Sequence, residues 1–164
     1  MRDGLGTART ISRSGNQLLY EQLLYENTAG GDYATLFFAG YDDDTRKLRY
    51  SNCGHPPALL LRGDDSLERL GATCTVVGLF GKWDCKMEER ELSPGDAVLL
   101  YTDGVTEALN GEEEEFGEER LLEAARQHRE LSLTELLAAV ADQARTFSPH
   151  EQADDITLIV AKCT

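Results

Sequence analysis

The stretch Ala97-Val98-Leu99-Leu100-Tyr101 runs straight into Thr102-Asp103-Gly104, so an apolar pentapeptide is closed by an acidic residue and a glycine. A run this short and continuous predicts a strand buried on both faces. Just upstream, Ser93-Pro94-Gly95-Asp96 is turn chemistry, and Cys85 to Leu92 alternates as a strand does. Further back, Tyr33 to Tyr41 and Lys47 to Asn52 flank Asp42-Asp43-Asp44-Thr45 and predict a hairpin. Ala58 to Arg62 predicts another strand, closed by Gly63-Asp64-Asp65, and Gly71 to Trp83 is a glycine-punctuated loop.

Downstream the period changes. Leu121, Leu122, Ala124 and Ala125 mark a helix behind the acidic run Glu112 to Glu115. Ser132-Leu133-Thr134-Glu135 is a capping box. Leu133, Leu136, Leu137, Val140, Ala141 and Ala144 then keep helical spacing until Phe147-Ser148-Pro149. Ile156, Leu158 and Val160 alternate in a closing strand. At the other end, residues 1–15 read as an irregular segment and 16–27 as a helix. That helix carries Gln-Leu-Leu-Tyr-Glu twice in tandem, from Gln17 and from Gln22, which is too short for a repeat architecture. The order is one helix, about five strands, two or three helices and a strand. It predicts an α+β domain with mainly antiparallel pairing over residues 16–164. No P-loop or dinucleotide-binding glycine pattern is present.

The chain has 164 residues, 41 % hydrophobic and 28 % charged, which suits one folded domain and not a disordered segment. Its 16 Lys and Arg face 30 Asp and Glu, a net charge of −14. Such a surface excludes nucleic acid and anionic membranes as partners, and suits divalent cations or a basic protein. The longest apolar runs are too short to span a bilayer and no leader pattern is visible, so a cytoplasmic location is expected. Cys53, Cys74, Cys85 and Cys163 show no C-x-x-C spacing and are read as reduced thiols, not as a zinc site or a disulfide framework.

Chemistry is expected where acidic residues meet strand ends. Asp103 follows the strand ending at Tyr101, while Asp154 and Asp155 precede the strand of Ile156 to Val160. If the two strands pair antiparallel, these carboxylates share one sheet edge, and oxygen-only ligands of that kind suit Mg²⁺ or Mn²⁺. Asp103 also reads as a cap for Val105 to Leu109. His55, in Gly54-His55-Pro56-Pro57, reads as a general acid, a ligand or a loop histidine fixed by its prolines. His128 and His150 have no supporting residues nearby, and Ser51 and Cys53 lack a nucleophile signature. Asp42 to Asp44 and Glu112 to Glu115 read as solvated turns, and Trp83 with Gly78 to Gly81 as a flap or a satellite core.

Five segments in order resemble one family. They are Tyr33-Ala34-Thr35-Leu36-Phe37-Phe38-Ala39, Ser51-Asn52-Cys53-Gly54-His55-Pro56-Pro57, Leu92-Ser93-Pro94-Gly95-Asp96, Leu100-Tyr101-Thr102-Asp103-Gly104-Val105-Thr106-Glu107-Ala108 and Ala153-Asp154-Asp155-Ile156-Thr157-Leu158. Together they resemble the C-terminal two-thirds of PPM-type metal-dependent serine/threonine protein phosphatases, in the stage II sporulation protein E-like branch. The resemblance implies an α/β/β/α sandwich of two antiparallel sheets flanked by helices. It implies two Mn²⁺ or Mg²⁺ ions, with Asp103 and Asp154 as metal ligands and a metal-activated water attacking phosphoserine or phosphothreonine. It implies as partner a phosphorylated regulatory protein of the anti-sigma-factor antagonist type.

The family's N-terminal third supplies further metal carboxylates, and no matching segment precedes Asn16, where Asp3-Gly4-Leu5-Gly6 is only a faint counterpart of its glycine turn. A domain truncated at its N-terminus, with an incomplete metal site, is therefore expected. The alternative is a non-catalytic binding module of the same fold, with an exposed sheet edge that favours a homodimer.

Overall fold

The computed structural model describes residues 33–79, 85–148 and 154–164. The expected irregular segment 1–15, the helix over 16–27, Asp3, Trp83 and His150 lie outside the described residues. The described chain forms two compact units, one running to Pro57 and joined by Gly71–Leu92, the other made of Ala58–Leu70 and Ser93–Thr164. Each contains one antiparallel sheet, and helices join the second, so the α+β expectation with antiparallel pairing holds.

In the first unit, β1 (Leu36–Asp42) and β2 (Lys47–Cys53) form the predicted hairpin, with Asp42 opposite Lys47. Asp42 caps the turn, its Oδ1 accepting the Thr45 N–H at 2.9 Å. Phe37 stacks on Tyr50 across the pair, ring centroids 5.6 Å apart. The alternating run Cys85 to Leu92 yields a strand only over β5 (Glu88–Glu91), which pairs with β2 as the sheet's edge. Its charged residues suit an edge, since exposed charges discourage pairing with another chain. The predicted loop after Gly71 is a loop, pinned where Ala34 and Val77 exchange both backbone hydrogen bonds, at 2.8 and 2.9 Å.

In the second unit the order is β4-β3-β6-β7, from β3 (Ala58–Leu61), β4 (Leu67–Leu70), β6 (Ala97–Tyr101) and β7 (Leu158–Lys162). β4 is a strand the sequence pattern did not predict. Leu67-Glu68-Arg69-Leu70 spaces its leucines by three rather than two, and it is extended because β3 pairs with it across a tight turn. Three helices follow: α1 (Asp103–Thr106), α2 (Gly117–Gln127) and α3 (Leu133–Phe147). The capping box is present, with Ser132 Oγ accepting the Glu135 N–H while Glu135 accepts the Ser132 N–H. Leu59, Leu61, Leu99 and Tyr101 pack on one face of the sheet against Leu121, Ala125, Leu136 and Val140 of the helices. Leu60 and Val98, pointing the other way, are buried too, as the unbroken apolar runs of β3 and β6 require.

Asp96 ties the far end of this sheet together. Only 2 % exposed, it accepts the Ser93 and Gly63 N–H groups and the Arg62 guanidinium, each at 2.9 Å. Its backbone oxygen takes the Cys163 N–H at 2.8 Å. Burial alone would raise its pKa, but the Ser93 N–H, Arg62 and the Gly63 N–H outweigh it and hold the carboxyl below its ordinary 3.8. A depressed carboxylate stabilises the fold above 3.8, and that contribution disappears as pH falls through the native value. Asp96→Ala is expected to cost about 3 kcal/mol at neutral pH, because it leaves the Ser93 and Gly63 N–H groups without their acceptor and takes from Arg62 one of its two carboxylates, Glu68 being the other. Urea unfolding at neutral and acidic pH checks this, with the gap between variant and wild type narrowing in acid.

Candidate functional site

Tyr101 at the end of β6 pairs with Leu158 at the start of β7, so the residues just beyond each strand share one edge of the sheet. Thr102 joins them. Its N–H donates to the Thr157 carbonyl at 3.1 Å, and its hydroxyl accepts the Thr157 N–H at 2.9 Å while donating to the Asp155 carbonyl at 3.0 Å. Thr102 is extended at the N-cap of α1, yet its hydroxyl is spent across the strands and caps nothing. Asp103 therefore stands inside the first turn of α1, and not at its cap. Gly104, buried next to it, lies so close to the neighbouring segment that a Cβ there would sit 2.6 Å from the Asp155 carbonyl oxygen and 3.3 Å from the Asp154 carbonyl carbon. Only glycine permits this approach.

Asp103 and Asp154 thus flank one backbone contact, and both are exposed. Each carboxylate accepts the N–H that follows it in the chain, Asp103 from Gly104 at 3.1 Å and Asp154 from Asp155 at 2.8 Å. Among the described residues neither makes an ion pair with a lysine or arginine. Exposed carboxylates just beyond two paired strand ends, with no cationic side chain among the described residues neutralising them, fit part of the shell of a hard divalent ion, whose other positions water fills. Among the described residues no third carboxylate or histidine closes on the pair.

The other candidates separate from this edge. His55 lies in a loop built by Asn52, whose Oδ1 accepts the His55 N–H at 2.9 Å, and its Nδ1 is 3.3 Å from the Thr35 hydroxyl. Ser51 is buried, with its hydroxyl donating to the Lys86 carbonyl at 3.0 Å, which leaves it no nucleophile's role. His128 ends α2 with Nε2 3.1 Å from the Gln143 amide. In the Glu112 to Glu115 turn, Asn110 Oδ1 accepts the N–H groups of Glu112 and Glu114, both at 2.9 Å. Thr102 is the position at this edge that the sequence reading does not single out, whereas a glycine directly after Asp103 itself predicts a close backbone approach, as found. The signal for Thr102 was its place between the strand and Asp103, where a hydroxyl can serve as donor and acceptor.

Residues 8–164 match the family described as Stage II sporulation protein E (SpoIIE). The phosphoserine phosphatase RsbU of Bacillus subtilis is 28 % identical over 144 residues, covering 86 % of this chain and 42 % of that protein. The curated relatives matched first are much longer, so that this chain spans between a quarter and about two fifths of them. Among solved structures, the SiaA-PP2C domain of Pseudomonas aeruginosa superposes with a TM-score of 0.81 at 21 % identity, over 95 % of this chain and 61 % of that one. The catalytic domain of the serine/threonine protein phosphatase PstP, solved with two manganese ions, does so at 0.74 and 19 %, over 99 % and 72 %. Both likenesses show the fold, two antiparallel sheets with helices.

The close approach at Gly104 is testable through stability. Gly104→Ala is expected to cost about 1–3 kcal/mol, since the clash is with backbone that cannot swing away. Gly111→Ala, which meets nothing within 4 Å, should stay within about 0.5 kcal/mol of wild type. Equilibrium urea unfolding of both variants measures the difference.

Proposed function

The chain belongs to the stage II sporulation protein E family, and from that premise we propose that it is a divalent-metal-dependent protein serine/threonine phosphatase. One observation carries the reading: the β6–β7 register brings Asp103 and Asp154 to the same sheet edge, with Gly104 against the Asp154–Asp155 backbone. Asp103 and Asp154 would hold Mn²⁺ or Mg²⁺, two ions being expected from the PstP structure. When bound, such ions supply a nucleophilic water at neutral pH and offset charge on phosphoryl oxygens. We take residues 16–164 as the phosphatase domain.

The chain's own residues do the positioning. Thr102 clamps the strand ends, and Gly104 lets them approach, so the two carboxylates are held before any ion arrives. Their surroundings also set an electrostatic condition. A phosphoserine dianion approaching a chain of net charge −14 is repelled unless cations screen the site. The substrate we infer is a phosphorylated regulatory protein of the anti-sigma-factor antagonist type, in the cytoplasm, in keeping with RsbU being a phosphoserine phosphatase. Among the described residues no helix is long and apolar enough to cross a membrane.

Phosphate release from a phosphoserine protein and from p-nitrophenyl phosphate, measured against Mn²⁺ concentration, tests the reading. Turnover should require Mn²⁺, and Asp103→Asn should lower it by about 100-fold or more with the fold retained. A binding module of the same fold predicts the contrary result, no turnover at any Mn²⁺ concentration. Full activity in Asp103→Asn would remove Asp103 from the site.

A further inference from the structure

Cys53, Cys74 and Cys85 are 21 and 11 positions apart in the chain, a spacing that carries no metal signature. The fold of the first unit nonetheless gathers all three sulfurs within 4.8 Å of one another. Cys53 Sγ is 3.3 Å from Cys74 Sγ, which is 2.6 Å from Cys85 Sγ, and all three are free thiols. Two of the three are placed by backbone. The Asn52 carbonyl accepts the N–H groups of Thr73 and Cys74, at 2.8 and 3.1 Å, which fixes Cys74 beside the end of β2. Cys85 enters from the segment leading into β5.

We propose that this trio is a thiolate site for a thiophilic metal ion, Zn²⁺ in the first instance, separate from the carboxylate pair. Zinc–sulfur bonds of about 2.3 Å place bound sulfurs about 3.8 Å apart in a tetrahedral shell, so the observed cluster needs shifts of only about an ångström to receive the ion. Cys53 is buried and the other two are half-buried, which shields thiolates from competing ligands. In the metal-free chain, burial and the neighbouring sulfurs push the Cys53 thiol up, and burial with Cys85 beside it raises Cys74. Each thiol that takes up the ion gives its proton to solvent, its S–H bond being replaced by a sulfur–metal bond. Bound metal would tie the end of β2, the loop after Gly71 and the lead into β5 to a single point.

Peroxide-sensing cysteines need low thiol pKa values and exposure, whereas Cys53 is buried and the thiols of Cys53 and Cys74 are both pushed up.

The test uses the full chain, reduced and metal-free, with Co²⁺ as the probe and Zn²⁺ as competitor. One equivalent of Co²⁺ should give a thiolate-to-cobalt charge-transfer band with strong tetrahedral d–d absorption, and Zn²⁺ should abolish both. Cys85→Ser should weaken Co²⁺ binding by at least about 10-fold, a ligand counting for no less than the outer partners that orient one. Asp103→Asn and Cys163→Ser should leave the band unchanged. A readout without variants is alkylation by iodoacetamide, where Zn²⁺ should slow labelling of Cys53, Cys74 and Cys85 at least about 10-fold and spare Cys163. The proposal falls if the folded wild type shows no thiolate band, if Cys85→Ser keeps it, or if Zn²⁺ protects none of the three. It falls equally if the chain held in air with equimolar Zn²⁺ joins Cys74 to Cys85.

Discussion

The hydroxyl of Thr102 is the interaction on which the candidate site depends. It accepts from Thr157 and donates to the Asp155 carbonyl, so one side chain closes the gap where β6 and β7 leave their ladder. Beyond that point the strands diverge into α1 on one side and the 154–157 segment on the other. Without the bridge, the Thr157 N–H and the Asp155 carbonyl would lose their partner, and only the Thr102 N–H bond to Thr157 and the Gly104 contact would still hold Asp103 near Asp154. A hydroxyl suits this place because it is donor and acceptor at once. Alanine or valine there would leave a donor and an acceptor unmatched.

The opposite end of the same strand is fixed by the same logic with a charge in place of a hydroxyl. Asp96 gathers the β3–β4 turn, the turn before β6 and, through its backbone, the end of β7. β6 is thus held at both ends by buried or half-buried polar groups and along its length by the apolar core. A strand pinned in this way cannot slip by one residue without taking Leu99 and Tyr101 out of the cluster packed against the helices, which makes its register a reliable ruler for whatever follows it. Asp103, two residues past the end of β6, inherits that register.

Much of this was legible in the sequence because the signals were local. The hairpin of β1 and β2, the buried run of β6, the capping box of α3 and the alternation of β7 each announce themselves within about ten residues. The pairing of β6 with β7 needed a guess about topology, and the turn and acidic signals at both strand ends supported it. β4 was missed because Glu68 and Arg69 break a period of two, and its conformation is imposed by β3 across the turn. The cysteine cluster was missed for a related reason. Its members come from β2, a loop and the lead into β5, and only the folded backbone between Asn52 and Cys74 brings them together. Long-range proximity has no signature in spacing. Gly104 was legible as a residue that permits close backbone approach, and the fold adds what approaches it, the Asp155 carbonyl.

The central claim is that Asp103 and Asp154 act on the same ions. Calorimetric titration of Mn²⁺ into wild type, Asp103→Asn, Asp154→Asn and the double variant tests it most directly. Ligands of one shared site are strongly coupled, so each single variant should weaken binding by at least about 10-fold and the double should lose far less than the product of the two losses. Independent, multiplicative losses, or binding that survives both substitutions, would mean that the two aspartates only happen to lie at the same sheet edge.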